Sequence, residues 1–259
     1  MITSSHNPKI KLIRALAGRP KERRENSAFL AEGVRLVEEA FTAGWNFQFA
    51  LYSDGLSQRG LDLVQRLTAK EVDVEPVAEN VLQSVTETGT SQGILAVLAL
   101  DPPDSLQLPA KPDFVLIPDQ IREPGNLGTL LRTAAAAGVQ AVFIPPETTD
   151  PFAPKVVRAG MGAHFRLPIL SQTWDQLRAG VEGMSVFLSD AAGEKSCWDV
   201  DFRSPCALVI GGEADGASEQ ARSLATEMIR IPMPGQMESL NAGAAGAVLM
   251  YEVVRQRSR

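Results

Sequence analysis

Five short, largely apolar runs, two of them uninterrupted, constrain the fold of this chain more than any other feature. They are Phe114-Val115-Leu116-Ile117, Ala141-Val142-Phe143-Ile144 and the segments 185–188, 207–211 and 228–231. Strands that read this way, without polar alternation, are buried on both faces of a sheet. Helical patterns separate them, notably at 127–137 and 240–255. Such alternation predicts an α/β fold whose mainly parallel sheet is covered by helices. Ligands of open parallel sheets sit beyond the carboxyl ends of the strands, so the segments after these runs are where chemistry is expected.

A linker precedes this region. Residues 101–113 contain four prolines, Pro102, Pro103, Pro109 and Pro112, and show no apolar periodicity, as in a semi-rigid spacer. The expected organisation is a smaller N-terminal α/β domain over 1–100, the linker over 101–113 and a second domain over 114–259. In the first domain the spacing of Leu30, Val34, Val37 and Phe41 predicts a helix over 29–43 ending at Gly44. Strands are expected at 47–52 and 93–100, with a helix at 58–69.

Composition excludes several function classes. The chain has 259 residues, 44% of them hydrophobic and 22% charged, as in ordinary globular proteins. No run approaches the roughly 18 apolar residues of a membrane span, and the start Met1-Ile2-Thr3-Ser4-Ser5-His6 lacks a secretory pattern, so a cytoplasmic location without membrane contact is expected. Cys197 and Cys206 read as two reduced thiols. With only His6 and His164, far apart, no metal site or Ser-His triad is expected. Net charge is -6, but residues 1–35 hold eight basic side chains against three glutamates. That arm is +5 and the remaining 224 residues carry -11. A local basic arm fits either phosphate contact or a solvated helix face.

Three segments follow apolar runs. In 119–134, Pro124-Gly125 makes a turn, Asn126 is placed to cap a helix, and Gly128 admits an anion near its N-terminus. Arg132 lies one turn beyond Gly128 on the same face and can grip a phosphate with two donors. In 208–216, Leu-Val-Ile-Gly-Gly-Glu-Ala-Asp-Gly brings glycine backbone to a ligand, but it is neither the dinucleotide fingerprint nor a P-loop. In 231–247, Pro232, Pro234 and Gly235 force an irregular loop before a helix opened by Glu238 or Ser239. Gly243 and Gly246 cost that helix about 1 kcal/mol each, which points to close packing or a ligand.

Together, Asn126-x-Gly128-x-x-x-Arg132, Leu208-Val-Ile-Gly-Gly-Glu213-x-x-Gly216 and Ile231-Pro-Met-x-Gly-x-x-Glu-Ser239-Leu-Asn241 resemble the three motifs of the SpoU (TrmH-like) family of RNA 2′-O-ribose methyltransferases. Residues 7–11 and 29–35 resemble its substrate-binding extension, so the resemblance spans nearly the whole chain. It implies a deep trefoil knot in the C-terminal domain, a homodimer with the active site near the subunit interface, and S-adenosylmethionine as donor. Carried onto this sequence, the donor contacts fall on Leu188, Gly211, Glu213, Gly216, Ile231, Met233, Ser239 and Leu240, with 188–191 adding to the pocket. The catalytic group is Arg132, Asn126, Glu213, Ser239 and Asn241. RNA contacts are expected from Lys9, Lys11, Arg23, Arg24 and Arg35, with ribosomal rather than transfer RNA favoured by family analogy.

The resemblance assigns Arg132 to activating the ribose hydroxyl. A guanidinium stays protonated at accessible pH, so its suitable task is to hold the neighbouring phosphate and stabilise developing negative charge. Asn126 and Asn241 would position the ribose. Two departures are visible: Gly212 where motif two commonly has Asn, and Ala242-Gly243-Ala244 where motif three often has Val-Ser-Val. The rival readings are an assembly factor that binds RNA on the same fold without catalysis, and a dinucleotide oxidoreductase. The latter lacks the glycine fingerprint.

Overall fold

A computed structural model describes residues 1–86, 92–212, 216–235 and 237–258. The chain divides into two compact units, one of Met1–Leu106 with Phe152–Phe165 and one of Gln107–Pro151 with Arg166–Arg259.

The first unit begins with α1 (Pro8–Gly18) and α2 (Pro20–Glu25). Asn7 caps α1 by accepting from the Lys9 N–H, and Pro8 takes the first helical position, where its missing N–H costs nothing. Ile10, Ile13 and Leu16 are fully buried along one face. Then follow β1 (Ala28–Glu32), α3 (Val34–Thr42), β2 (Phe47–Tyr52), α4 (Gln58–Ala69), β3 (Val74–Pro76), α5 (Glu79–Gln83) and β4 (Ile94–Ala99). The sheet order is β1-β4-β2-β3, antiparallel except for the pair β2 and β3.

The single helix expected over 29–43 is instead a strand followed by a helix. Ala28 to Ala31 are all buried, as a segment covered on both faces requires, and Gly33 at φ 94° turns the chain between β1 and α3. Only glycine adopts that angle freely, so the helix-like spacing of Leu30 and Val34 is coincidental. The returning segment carries α7 (Pro154–Gly160). Its Phe152 and Phe165 pack with Phe29 and Trp45 in an aromatic cluster whose ring centroids lie 5.0–6.4 Å apart.

In the second unit the elements are β5 (Phe114–Pro118), α6 (Pro124–Ala137), β6 (Ala141–Ile144), β7 (Ile169–Ser171), α8 (Trp174–Gly180), β8 (Ser185–Ser189), β9 (Lys195–Ser196), β10 (Cys206–Ile210), α9 (Glu219–Leu224), β11 (Glu227–Arg230) and α10 (Ala242–Arg257). The seven strands run in the order β7-β6-β5-β10-β8-β11-β9, and every neighbouring pair is parallel. The five apolar runs form β5, β6, β8, β10 and β11 within a residue at either end.

The last helix is fastened at both ends. At its start, Asn241 caps α10 and its side-chain N–H donates to Asn126 Oδ1 at 2.9 Å. At its end, Arg257 donates to the carbonyls of Phe202, Ser204 and Asp113 and to the Asp113 carboxylate. Between these points α10 lies against α6. A Cβ at Gly246 would collide with Leu130 Cδ2, and one at Gly243 would stand 3.0 Å from Thr129 Cγ2. Close packing is therefore the reason for these helical glycines.

Gly246→Ala measures that constraint. The added methyl restores about 1 kcal/mol of helix propensity but overpacks against Leu130, which is fully buried. Overpacking costs about 1–3 kcal/mol. Urea unfolding is expected to show a net loss of up to about 2 kcal/mol, the overpacking cost less the gain in propensity; a gain in stability would show that α6 and α10 can separate without penalty.

Candidate active site

At the carboxyl ends of β8, β10 and β11 lies a cavity of about 450 Å³. Its wall is made by Ser189, Asp190 and Ala191 after β8, Ile210 to Gly212 after β10, Ile231 and Met233 after β11, and Ser239 to Ala242 leading into α10. Gly216, Ala217, Arg222 and Ala245 complete it. The glycines are required by backbone-to-backbone approach. A Cβ at Gly211 would meet Ala217 N at 2.8 Å, and one at Gly212 would meet the Gln120 carbonyl oxygen at 2.5 Å. Without a side chain, Gly212 lets the loop after β10 lie on the turn after β5, where Gln120 itself takes φ 54°.

Asp119, at the end of β5, fixes the same region. It is fully buried, and its Oδ2 accepts the Ser218 N–H at 2.7 Å. Ser218 in turn caps α9 through the Ala221 N–H. The other carboxylate oxygen, Oδ1, is buried without a partner among the described residues. Burial pushes the Asp119 pKa above its ordinary value, against the opposing pull of the Ser218 hydrogen bonds. Asp190 and Arg222 face each other in the cavity wall as an ion pair, Nη1 to Oδ2, at 2.7 Å.

Asn126 and Asn241, 115 positions apart, meet at the adjoining starts of α6 and α10. Asn126 does not cap α6. Glu123 does, accepting from the Gly125 N–H, because Pro124 occupies the first helical position and the cap falls just before it. Likewise α10 is capped by Asn241, not opened by Glu238 or Ser239. Arg132 is exposed on α6, about 1.7 turns beyond Asn126 at about 3.6 residues per turn.

Of the expected donor contacts, Gly211, Gly216, Ile231, Met233, Ser239 and Leu240 are brought together around the cavity. Leu188 is not: its side chain is fully buried in the core with Val186 and Val209, and the three residues after it line the wall instead. Glu213 lies outside the described residues. Arg222 is the charged cavity residue that sequence reasoning misses, since nothing in a six-residue helix marks which of its side chains turns toward a ligand.

In the first unit, the expected RNA contacts separate into two groups. Arg23 is buried and donates to the Leu16 carbonyl at 2.5 Å. Lys9 is held by Asp73 at 2.6 Å and Glu75 at 3.1 Å and lies over the Phe49 ring. These two cations stabilise the fold and are not offered to a ligand. Lys11, Arg24 and Arg35 are exposed, and Arg14 and Arg19 join them on the surface. In the second unit Cys197 and Cys206 are both free and buried, which pushes each thiol up to about 11. No helix among the described residues is long and apolar enough to cross a membrane.

Comparison with known proteins agrees with this arrangement. The family model described as the SpoU rRNA Methylase family matches residues 113–251, and the MRM3-like substrate binding domain matches 7–96. A tRNA/rRNA methyltransferase of Synechocystis is 32% identical, covering 99% of this chain and 94% of its own. A 23S rRNA guanosine 2′-O-methyltransferase of Bacillus subtilis is 33% identical over 97% and 98%. The crystal structure of an AdoMet-bound rRNA methyltransferase from Sinorhizobium meliloti superposes with a TM-score of 0.84 at 31% identity, over 98% and 97%. With its methylase model spanning the parallel-sheet unit and relatives of matching length along the whole chain, the protein belongs to the SpoU rRNA methylase family.

Proposed function

We propose that this chain is an S-adenosylmethionine-dependent RNA methyltransferase that modifies a ribose 2′-hydroxyl in ribosomal RNA. The observation that carries this reading is the convergence of a glycine-walled cavity with the Asn126–Asn241 pair at the paired starts of α6 and α10. The cavity fits the donor. Its volume lies within the roughly 300–1,000 Å³ of small-molecule sites. Ile210, Ile231, Met233 and Leu240 offer apolar walls to an adenine ring, while Gly211 and Gly212 open the backbone.

When bound, S-adenosylmethionine supplies a methyl group already activated by its sulfonium. The protein's work is then alignment, which can supply a large part of the acceleration. Asn126 and Asn241 hold the ribose. Arg132 grips the adjacent phosphate and stabilises negative charge growing on the 2′-oxygen, whose proton passes to that phosphate or to water. Ser239 and Leu240 support the donor loop, and Glu213 orients its neighbours.

The reading extends to parts that rest on family resemblance. They are a homodimer with the site near the subunit interface, a deep trefoil knot in the C-terminal domain, a cytoplasmic location, and an RNA-binding role for the N-terminal domain over 1–100. The AdoMet-bound relative favours an active enzyme over an assembly factor without catalysis.

Transfer of labelled methyl from S-adenosylmethionine to unmodified ribosomal and transfer RNA pools, followed by nucleoside analysis, tests the reading. A 2′-O-methylated nucleoside is expected from the ribosomal pool; base methylation, or transfer confined to transfer RNA, would displace it. Arg132→Ala should lower turnover about a hundredfold or more, the scale of losing one charge-stabilising donor, with donor affinity within about twofold. Near-normal turnover would remove Arg132 from the mechanism. For the basic arm, replacing Lys11, Arg24 and Arg35 by Ala should weaken RNA binding and flatten the slope of log K against log salt by about one for each phosphate that the variant no longer neutralises. An unchanged slope would place the RNA elsewhere.

A further inference from the structure

Two charged side chains line the cavity among the described residues, Asp190 and Arg222, and no role given so far uses either. Their exposures differ in a telling way: 15% for the Asp190 side chain and 43% for Arg222. Asp190 is fully engaged, its Oδ1 accepting the Ala192 N–H at 2.9 Å and its Oδ2 paired with Arg222. The guanidinium is not. Nη1 serves Asp190 and lies 3.7 Å from Met228 Sδ, while Nε and Nη2 have no protein acceptor among the described residues. A guanidinium presents five N–H donors in a rigid fork that matches a carboxylate. Asp190 therefore orients a cation whose remaining donors are available at the cavity wall.

S-adenosylmethionine carries a single formal anion, the α-carboxylate of its amino-acid end. We propose that Arg222, held in place by Asp190, binds that carboxylate and so makes the site select the complete amino-acid-bearing donor over truncated nucleosides. The inference rests on the reading of the cavity as a donor site and deepens it. A guanidinium shared by two carboxylates leaves neither of them unpaired, which matters where water is partly excluded. Arg222 is thus a specificity-determining residue and Asp190 its positioning residue.

Calorimetric titration with S-adenosylhomocysteine and with 5′-methylthioadenosine, which lacks the amino-acid end, separates the possibilities without any turnover. Arg222→Met keeps the aliphatic stem and removes the donors. It should raise the Kd for S-adenosylhomocysteine about tenfold, at the lower end of charge-assisted hydrogen bonding, and leave the Kd for 5′-methylthioadenosine within about twofold. Arg222→Lys keeps the cation and the pairing with Asp190, and should recover part of the loss. Equal weakening of both ligands would mean that Arg222 merely supports the wall, and no weakening of either would mean that it does not touch the donor; both overturn the proposal. If Arg222→Met does not fold, the same ratio of the two affinities in Arg222→Lys decides. A wild-type protein that binds neither ligand would remove the donor-site reading itself, whereas one that binds both equally well would remove only the carboxylate contact.

Discussion

Everything at this site depends on how closely α10 can approach α6. Helices with ordinary side chains at their crossing pack with axes about 8–10 Å apart, and larger groups there push them outward. Here the α10 face is made of Ala242, Gly243 and Gly246, with Leu130 and Thr129 of α6 filling the space a Cβ would take. The resulting approach lets Asn241 reach Asn126 directly. It also carries the preceding loop, Ser239 and Leu240, over the ends of the central strands, where the loop closes one wall of the cavity. Glycine is unfavourable in a helix interior, so this packing needs other support. The far end of α10 provides it: Arg257 gathers the carbonyls of Phe202, Ser204 and Asp113, and Gln256 exchanges hydrogen bonds with Val200 and Phe202.

The same logic explains the two departures from the family's usual motifs. At position 212 an asparagine would need its Cβ 2.5 Å from the Gln120 carbonyl, so this chain's turn after β5 and its glycine belong together. At position 243 a serine would press on Thr129 and on Asn241 Oδ1, 3.2 Å away. Both departures trade a side chain for closer backbone, and both leave Asn126, Arg132 and Asn241 untouched. The loop after β10 is held instead by Asp119, which accepts from the start of α9. A buried carboxylate with one oxygen lacking a partner among the described residues is costly, and such a cost is tolerated where a loop must be held in one position.

The parallel sheet is legible in the sequence because strands buried on both faces must be apolar throughout, and the runs at 114–117 and 141–144 are too short for buried helices. The helix at 58–69 is legible for the converse reason, an apolar stripe with a clear polar face. Residues 29–43 mislead because a buried strand followed by an amphipathic helix imitates one longer periodicity, and the glycine between them carries its information in φ alone. The motif residues around the cavity, and the 188–191 segment beside them, can be named from the sequence, yet Arg222 cannot. Asp190 and Arg222 become a pair through the three-dimensional meeting of β8 with α9, which no local pattern encodes. The segment Phe152–Phe165 packs into the first unit although it lies within the sequence of the second, a return that composition does not mark.

Charge illustrates how structure changes the meaning of a count. The +5 of residues 1–35 includes Lys9, neutralised by Asp73 and Glu75, and Arg23, which is buried with its guanidinium on the Leu16 carbonyl. Neither contributes a free cation to the surface. What remains exposed is Lys11 and Arg14 on α1, Arg19 between the helices, Lys21 and Arg24 on α2, and Arg35 on α3, with Glu25 offsetting Lys21 at 3.5 Å. Exposed charges are screened over about 8–10 Å at physiological salt, so an anion at this surface responds to its near neighbours, Asp73 and Glu75 among them, more than to the net charge of the chain. The acidic remainder has its own effect, since it disfavours indiscriminate attachment of nucleic acid elsewhere on the surface. Local charge, not the net count, therefore sets what this surface offers to an anion.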